Sequence, residues 1–595
     1  MKLAFIDWGF ILLYLILAVG VGIYFSRRAG RSLADFFVSG RSLPWWILGT
    51  SMVATSFAAD TPLAVTGIVI KDGISGNWFW WNFLLGGTLT VFFFSHLWRR
   101  AEVLTEVEFI HIRYSGRSAR FLRGFKALYL GIPVSAIIFG WVTLAMIQIF
   151  RAIFGISEVS ALVICLVITI FYTVLAGLWG VVTTDLIQFV MAVVGAFALS
   201  VVSVEKVGGM GALVESLHSL AAQTGTDYLA MFPDLKEALP LAFFVALFVQ
   251  WWAVYYPGAE PGGGGWTAQR MLAARDPKHS VLGTLWFTIA YYVIRPWPWI
   301  LTALAALVLY PELVNASASE VEAVYPRMVG LLPAGIKGVM IASFLAAYMS
   351  TIDSLLTLAS SYLVNDFYKP FVKKDAPDRH YVSASRLAVV LVALIGAVFS
   401  YILGSVKIGW TLVMELSGGI GLVLLLRWYW WRINAWSEIS ALVASGVMAV
   451  YLRLFPQSYL IQNARSFFKH LGFQTDPWAV NILLIVLFTT VVWLLVTYLT
   501  PPDKKETLSA FYTKVRPGGF WSPVAESKDQ AKFSSLNPFL GWFLSVLVIM
   551  CFLHGLGRLV FSQWGQAVFY LGAGTAAGLL LLGVLKKITG AASDP

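Results

Sequence analysis

Ala58-Ala59-Asp60-Thr61-Pro62 stands inside an apolar run, about 44–69, that is long enough to cross a bilayer. An ionisable Asp60 near mid-membrane costs roughly 2.5–3.5 kcal/mol if left unpaired. Pro62 supplies no backbone donor and disfavours helical geometry at Thr61. Together they predict a helix that is locally unwound and exposes backbone carbonyls. A simple proline kink is the other reading of this stretch taken alone.

A second interruption follows Tyr255 and Tyr256, where the chain runs Pro257-Gly258-Ala259-Glu260-Pro261-Gly262-Gly263-Gly264-Gly265-Trp266. No regular helix continues through it. A plain loop between spans is one reading. Because the flanking spans must face opposite ways, the other reading is a discontinuous span completed by a half-helix from Trp266 to Ala274. The two breaks fall in the second and seventh apolar segments. That spacing is expected when segments two to six repeat as seven to eleven with inverted topology, ion and solute binding at the midplane between the broken helices.

The rest of the chain agrees with a membrane protein. Of its 595 residues, 59% are hydrophobic and 12% charged, against roughly 25% charged in a soluble chain. A water-facing surface could not be covered, which excludes a soluble enzyme of this size. Disorder, a disulfide scaffold and a collagen-like chain are also excluded. Fifteen apolar segments are legible, continuous and long, so helices are expected rather than a barrel. The net charge of +11 reflects topology, since Lys and Arg concentrate in alternate loops. Arg27, Arg28 and Arg31, then Arg99 to Lys126, Arg270 with Arg275 and Lys278, Lys369 to Arg386, and Lys504 to Lys532 make up most of that set. They place the N-terminus outside and the C-terminus in the cytoplasm of a plasma (inner) membrane. The expected organisation is an extra N-terminal span with its cytoplasmic loop (1–43), a first repeat (44–203), an extracellular loop (204–237), a second repeat (238–430), and accessory spans with a cytoplasmic linker (431–595). Cys165 and Cys551 lie in apolar runs and read as buried thiols. Gly418, Gly419 and Gly421 read as helix-packing positions.

The ninth segment contains Ala346-Ala347-Tyr348-Met349-Ser350-Thr351-Ile352-Asp353-Ser354. The hydroxyls of Ser350 and Thr351 are hard oxygen donors, which with carbonyls from a broken helix suit dehydrated sodium. Alternatively they bond back to their own helix. Asp353 lies on nearly the same face as Ser350. The sixth segment opens with Thr183-Thr184-Asp185. Asp185 reads either as a helix N-terminal acid or as a way station for a departing cation. Trp80, Trp81, Trp251, Trp252 and Trp266 offer stacking surfaces or anchor spans at the interface.

These stretches resemble the sodium:solute symporter family, which includes the sodium/glucose, sodium/proline, sialic acid and iodide transporters. The matching residues are Ser56 to Pro62, Gly177 to Gln188, Gln269 to Ala274 and Ala346 to Tyr368. The resemblance implies an all-α LeuT-like fold, a five-plus-five inverted repeat with one extra N-terminal span and about four C-terminal ones. It implies a sodium site from backbone oxygens of Ala58, Thr61 and Ala347 with the hydroxyls of Ser350 and Thr351. Asp185, with Thr184, corresponds to an inner ion exit or a second ion site. Asp60 resembles the essential acid of the proline branch. Trp266 falls where sugar transporters keep a capping tyrosine, and Val65 stands where that branch places a glutamine, so a galactose-like site is not expected. Glu260 and Asp353 complete the candidate substrate or gating residues.

The function expected is secondary active transport, sodium entering with a sugar or polyol, an amino acid or a carboxylate. Proton coupling through Asp60 or Asp353 is the rival on the same fold, and a transport-like membrane sensor the rival of another class. No catalytic constellation is visible, and nucleic acid is not an expected partner.

Overall fold

The computed structural model describes residues 2–29, 37–235, 239–254, 265–525 and 536–592. Helix α1, Phe5–Ala29, is the extra N-terminal span. The second apolar segment is two helices, α2 (Trp45–Thr55) and α3 (Asp60–Asp72), bent by 59° across residues 56–59. Short helical pieces from 78 to 101 form the third segment. Next come α4 (Gly116–Phe154) and α5 (Glu158–Val207). The seventh segment is represented by α6 (Leu241–Ala253) and α7 (Trp266–Ala273). The chain continues with α8 (Pro277–Leu309), α9 (Ile336–Val372) and α10 (Asp378–Ile402). A second bent pair, α11 (Val406–Leu416) and α12 (Ile420–Tyr429), turns by 53°. The C-terminal spans are α13 (Ala435–Leu454), α14 (Pro477–Leu499), α15 (Asn537–Val560) and α16 (Trp564–Ala592).

Among the described residues, ten helices are long and apolar enough to cross a membrane, before the bent pairs are counted. α9 is the central one, 94% of its most apolar stretch being buried, whereas α1 and α16 are 28% buried and keep most of their surface for lipid. Serine, threonine and aspartate are tolerated along α9 because protein, not hydrocarbon, surrounds them.

Several elements differ from the sequence reading. Both expected spans, 158–177 and 183–203, fall within α5, whose apolar stretches are Glu158–Ile170 and Gly180–Val207. A further bend, not expected, lies in the eleventh segment. At that bend Gly419 takes φ +80. Its N–H bonds to the Ala253 carbonyl at 3.0 Å, and a Cβ there would stand 2.7 Å from that of Thr489. The glycines read as packing positions therefore also make a bend, because only glycine adopts this conformation freely and admits the neighbour. Residues 255–264, with Glu260 and the Pro/Gly run, lie outside the described residues, while the half-helix expected after them is present as α7. The 204–237 loop contains a helix, Met210–Thr224, that buries Leu213 and Leu217. The linker after α14 contains another, Lys505–Val515, burying Leu508, Phe511, Tyr512 and Val515. Cys165 and Cys551 are buried and unbridged.

Candidate functional site

The site starts from the break between α2 and α3. Proline is accommodated in the first turn of a helix, where its missing N–H is not needed. Pro62 sits there in α3. A helix continued through 58 would need the Pro62 N–H to satisfy the Ala58 carbonyl, and that donor does not exist. Ala58 instead takes φ +21, and its carbonyl is released from helical pairing. Asp60 occupies the first turn of α3, where the helix dipole favours an anion.

α9 is held against this break. Thr351 Oγ1 donates to the Thr55 carbonyl at 2.6 Å, and also to the Ala347 carbonyl at 3.0 Å. Ser350 Oγ donates to Asp185 Oδ1 at 2.5 Å. The other carboxylate oxygen, Oδ2, accepts from Ser51 at 2.5 Å and lies 3.6 Å from Arg270 Nη2. Arg270, on α7, also donates to Ser51 at 3.2 Å, Thr55 Oγ1 at 3.0 Å and Ser354 at 2.7 Å. Both charged side chains are fully buried. Four helices, α2, α5, α7 and α9, thus meet on one buried ion pair.

Next to this network is a cleft with about 550 Å³ of empty volume. Its polar wall is Thr55, Ser56, Ala58, Asp60, Thr61 and Thr351; its aromatic wall is Trp80, Trp141, Trp266, Tyr291 and Trp410. Asp60 is 3% exposed. Its Oδ2 accepts from Trp410 Nε1 at 3.2 Å, and Oδ1 accepts no hydrogen bond from the described residues. Arg295, also buried, stands just outside the cleft. It donates to the Ser56 carbonyl and places its guanidinium carbon 3.5 Å from the centre of the Tyr291 ring.

The structure therefore brings together Ala58, Asp60, Thr61, Trp266 and Thr351 in the cleft, with Ala347, Ser350 and Asp185 immediately behind. The others stand apart. Thr184 turns its hydroxyl onto the Gly180 and Val181 carbonyls of its own helix. Val65 is fully buried in the core. Asp353 accepts from Thr173 of α5, away from the cleft. Arg270, counted in the sequence with the loop cations, is instead completely buried, because Asp185 and three hydroxyls replace its water. Arg295, Trp141, Tyr291 and Trp410 also reach the site, with no motif in the sequence marking the three aromatic residues. For Arg295 a signal existed, since an arginine inside an apolar segment marks a functional position unless paired away.

The profile of the sodium:solute symporter family matches residues 36–444. The chain belongs to the sodium:solute symporter family. It is 26% identical over 480 residues to a sodium/glucose cotransporter of Vibrio parahaemolyticus, covering 77% of this chain and 86% of that one. It is 25% identical over 473 residues to sodium/glucose cotransporter 1 of Sus scrofa, covering 72% and 69%. A solved Na+-coupled sialic acid symporter in a substrate-bound outward-open state superposes with a TM-score of 0.63 at 20% identity, covering 84% of this chain and all of that one. The symporter is thus an all-α, multi-pass membrane protein with the LeuT-like fold, as the resemblance of its motifs implied. Its family relatives are sodium-coupled transporters.

Proposed function

We propose that this symporter couples inward sodium movement to uptake of a small organic solute by alternating access. The observation that carries the reading is the contact of α9 with the helix break. Thr351 is fixed on the Thr55 carbonyl beside the released carbonyl of Ala58. In this reading sodium, as cargo, takes backbone oxygens of Ala58, Thr61 and Ala347 and the lone pairs of Ser350 and Thr351. The hydroxyl protons of those two residues point elsewhere, to Asp185 and to backbone carbonyls, which leaves oxygen lone pairs for a cation. Solute occupies the aromatic cleft next to Asp60. Sodium favours the outward-open state that accepts solute, and each ligand acts only through its differential affinity for the two states. A potential of 100 mV adds roughly 2.3 kcal/mol per charge moved.

The same proposal places the N-terminus outside and the C-terminus in the cytoplasm. It assigns 44–203 and 238–430 to the two repeats, leaving 431–595 as accessory spans. The test is uptake into proteoliposomes of sugars, amino acids, carboxylates and amines under an inward sodium gradient, a potassium control and a proton gradient. Accumulation of one solute with sodium alone is expected. Accumulation driven by protons without sodium overturns the coupling ion.

A further inference from the structure

We propose that the solute of the aromatic cleft is a small organic ammonium, its positive nitrogen held by Asp60 among the indole rings. The assignment rests on the transporter reading above and adds the chemical class to it.

Among the described residues the lining of the cleft contains no Lys, Arg, His, Asn or Gln. Among these residues its one charged lining group is Asp60, whose buried Oδ1 accepts no direct hydrogen bond from them, with the Trp141 indole and the Arg295 guanidinium as further polar neighbours. A buried carboxylate oxygen without a donor is costly, and a charged donor from the ligand repairs it best.

The hydroxyl protons nearby are committed. Ser56 donates to the Met52 carbonyl at 2.7 Å, Thr61 to the Ser56 carbonyl at 3.5 Å and Thr351 to the Thr55 carbonyl. Trp80 Nε1 donates to Asn77 and Trp410 Nε1 to Asp60. Trp266 Nε1 is a buried donor with no acceptor among the described residues; the other valences left to a ligand are mostly acceptors: a carboxylate oxygen, hydroxyl lone pairs, released carbonyls and aromatic rings. A carboxylate solute finds no cation in the lining itself, since the nearby Arg295 faces the Asp60 carboxylate. A sugar, each of whose hydroxyls accepts as well as donates, leaves most of its acceptors unpaired. An ammonium with an apolar body presents donors and positive charge, and four tryptophans and a tyrosine supply cation–π contact.

Arg295 shows that this wall accepts a cation. Its guanidinium lies over the rings of Tyr291, at 3.5 Å, and Trp299, at 5.0 Å. Its Nη1 is engaged on the Ser56 carbonyl while Nε and Nη2 make no hydrogen bond among the described residues, and it stands behind the lining, within electrostatic reach of Asp60.

The test is thermal unfolding of the full-length protein in nanodiscs. Sodium against potassium chloride, without solute, tests the transporter reading by itself: a sodium-specific shift lost in S350A supports it whatever the solute. In sodium, choline and propylammonium are then compared with dimethylbutanol, the uncharged isostere of choline, and with glucose and succinate. A midpoint shift is expected with at least one ammonium and none with dimethylbutanol. D60N should weaken the apparent ammonium affinity by at least about tenfold, with its ligand-free midpoint reporting that it folds; such a change corresponds to about 1.4 kcal/mol. The assignment is overturned if neither ammonium shifts the midpoint, if dimethylbutanol matches choline, if glucose or succinate acts alone, or if D60N responds like the parent.

Discussion

Ser350 gives its hydroxyl proton to Asp185 Oδ1 at 2.5 Å, so the serine proposed to bind sodium is oriented by a carboxylate on another helix. A hydroxyl whose proton is directed away presents lone pairs to the opposite side. In the proposed ion site Asp185 would thus orient Ser350 without touching sodium.

S350A and T351A should each raise the sodium concentration for half-maximal activation by about tenfold or more, equivalent to about 1.4 kcal/mol. D185N keeps the shape but not the charge, and is expected to raise it less than S350A. Sodium titration of uptake, or of the sodium-induced thermal shift, measures all three. Unchanged sodium dependence in both alanine variants removes these residues from the ion site.

The Arg270–Asp185 pair is fully buried. Removing one member of such a pair leaves an uncompensated charge, at roughly 3–5 kcal/mol. R270Q and D185N should each lower the unfolding midpoint and the yield of monodisperse protein. The double variant should be more stable than the sum of the single losses implies, because no lone charge remains. A strictly additive double variant shows that the two residues act independently.

The break at Asp60 and Pro62 was legible because both residues violate a local rule for helices in lipid, and such violations mark sites. The paired hydroxyls of the ninth segment were legible for the same reason. Arg270 was not, because a cation beside a Pro/Gly run reads as a loop residue until the fold supplies Asp185 from 85 positions earlier. The walls given by Trp141, Tyr291 and Trp410 could not be read, since aromatic residues in apolar segments look alike whether they face lipid, core or cleft. The helix Lys505–Val515 was readable in principle: Leu508, Phe511, Tyr512 and Val515 recur at helical spacing within a polar segment.

Asp276 caps α8 by accepting from the His279 backbone N–H at 2.8 Å. Partial burial pushes its carboxyl up, but the hydrogen bonds from the His279 backbone and ring, with the charges of His279 and Arg275, outweigh this and hold it below the ordinary value. A depressed carboxylate stabilises the fold above its unfolded pKa and loses that contribution as pH falls through the folded one. D276A should therefore cost about 1 kcal/mol at neutral pH. The difference from the parent should shrink only below about pH 4. Unfolding midpoints of both proteins across pH 3 to 8 check this, and a difference already lost well above pH 4 shows that the Asp276 carboxylate does not carry the cap.

Gly419 holds the bend between α11 and α12 at φ +80, a conformation that costs a residue with a side chain about 1–2 kcal/mol. A Cβ there also meets Thr489 Cβ at 2.7 Å and Val486 Cα at 3.2 Å on α14, and backbone cannot rotate away as a side chain can. G419A should lower the unfolding midpoint and reduce transport, because the Gly419 N–H bond to Ala253 joins this bend to the end of α6. T489A in the same chain should restore little of the loss, since alanine keeps the Cβ that stands at 2.7 Å and Val486 and the φ strain remain. Gly446 in α13 has nothing within 4 Å of a Cβ, so G446A should be neutral or slightly stabilising through helix propensity. Equal midpoints for G419A and G446A would show that the bend tolerates a side chain and that α14 does not clamp it.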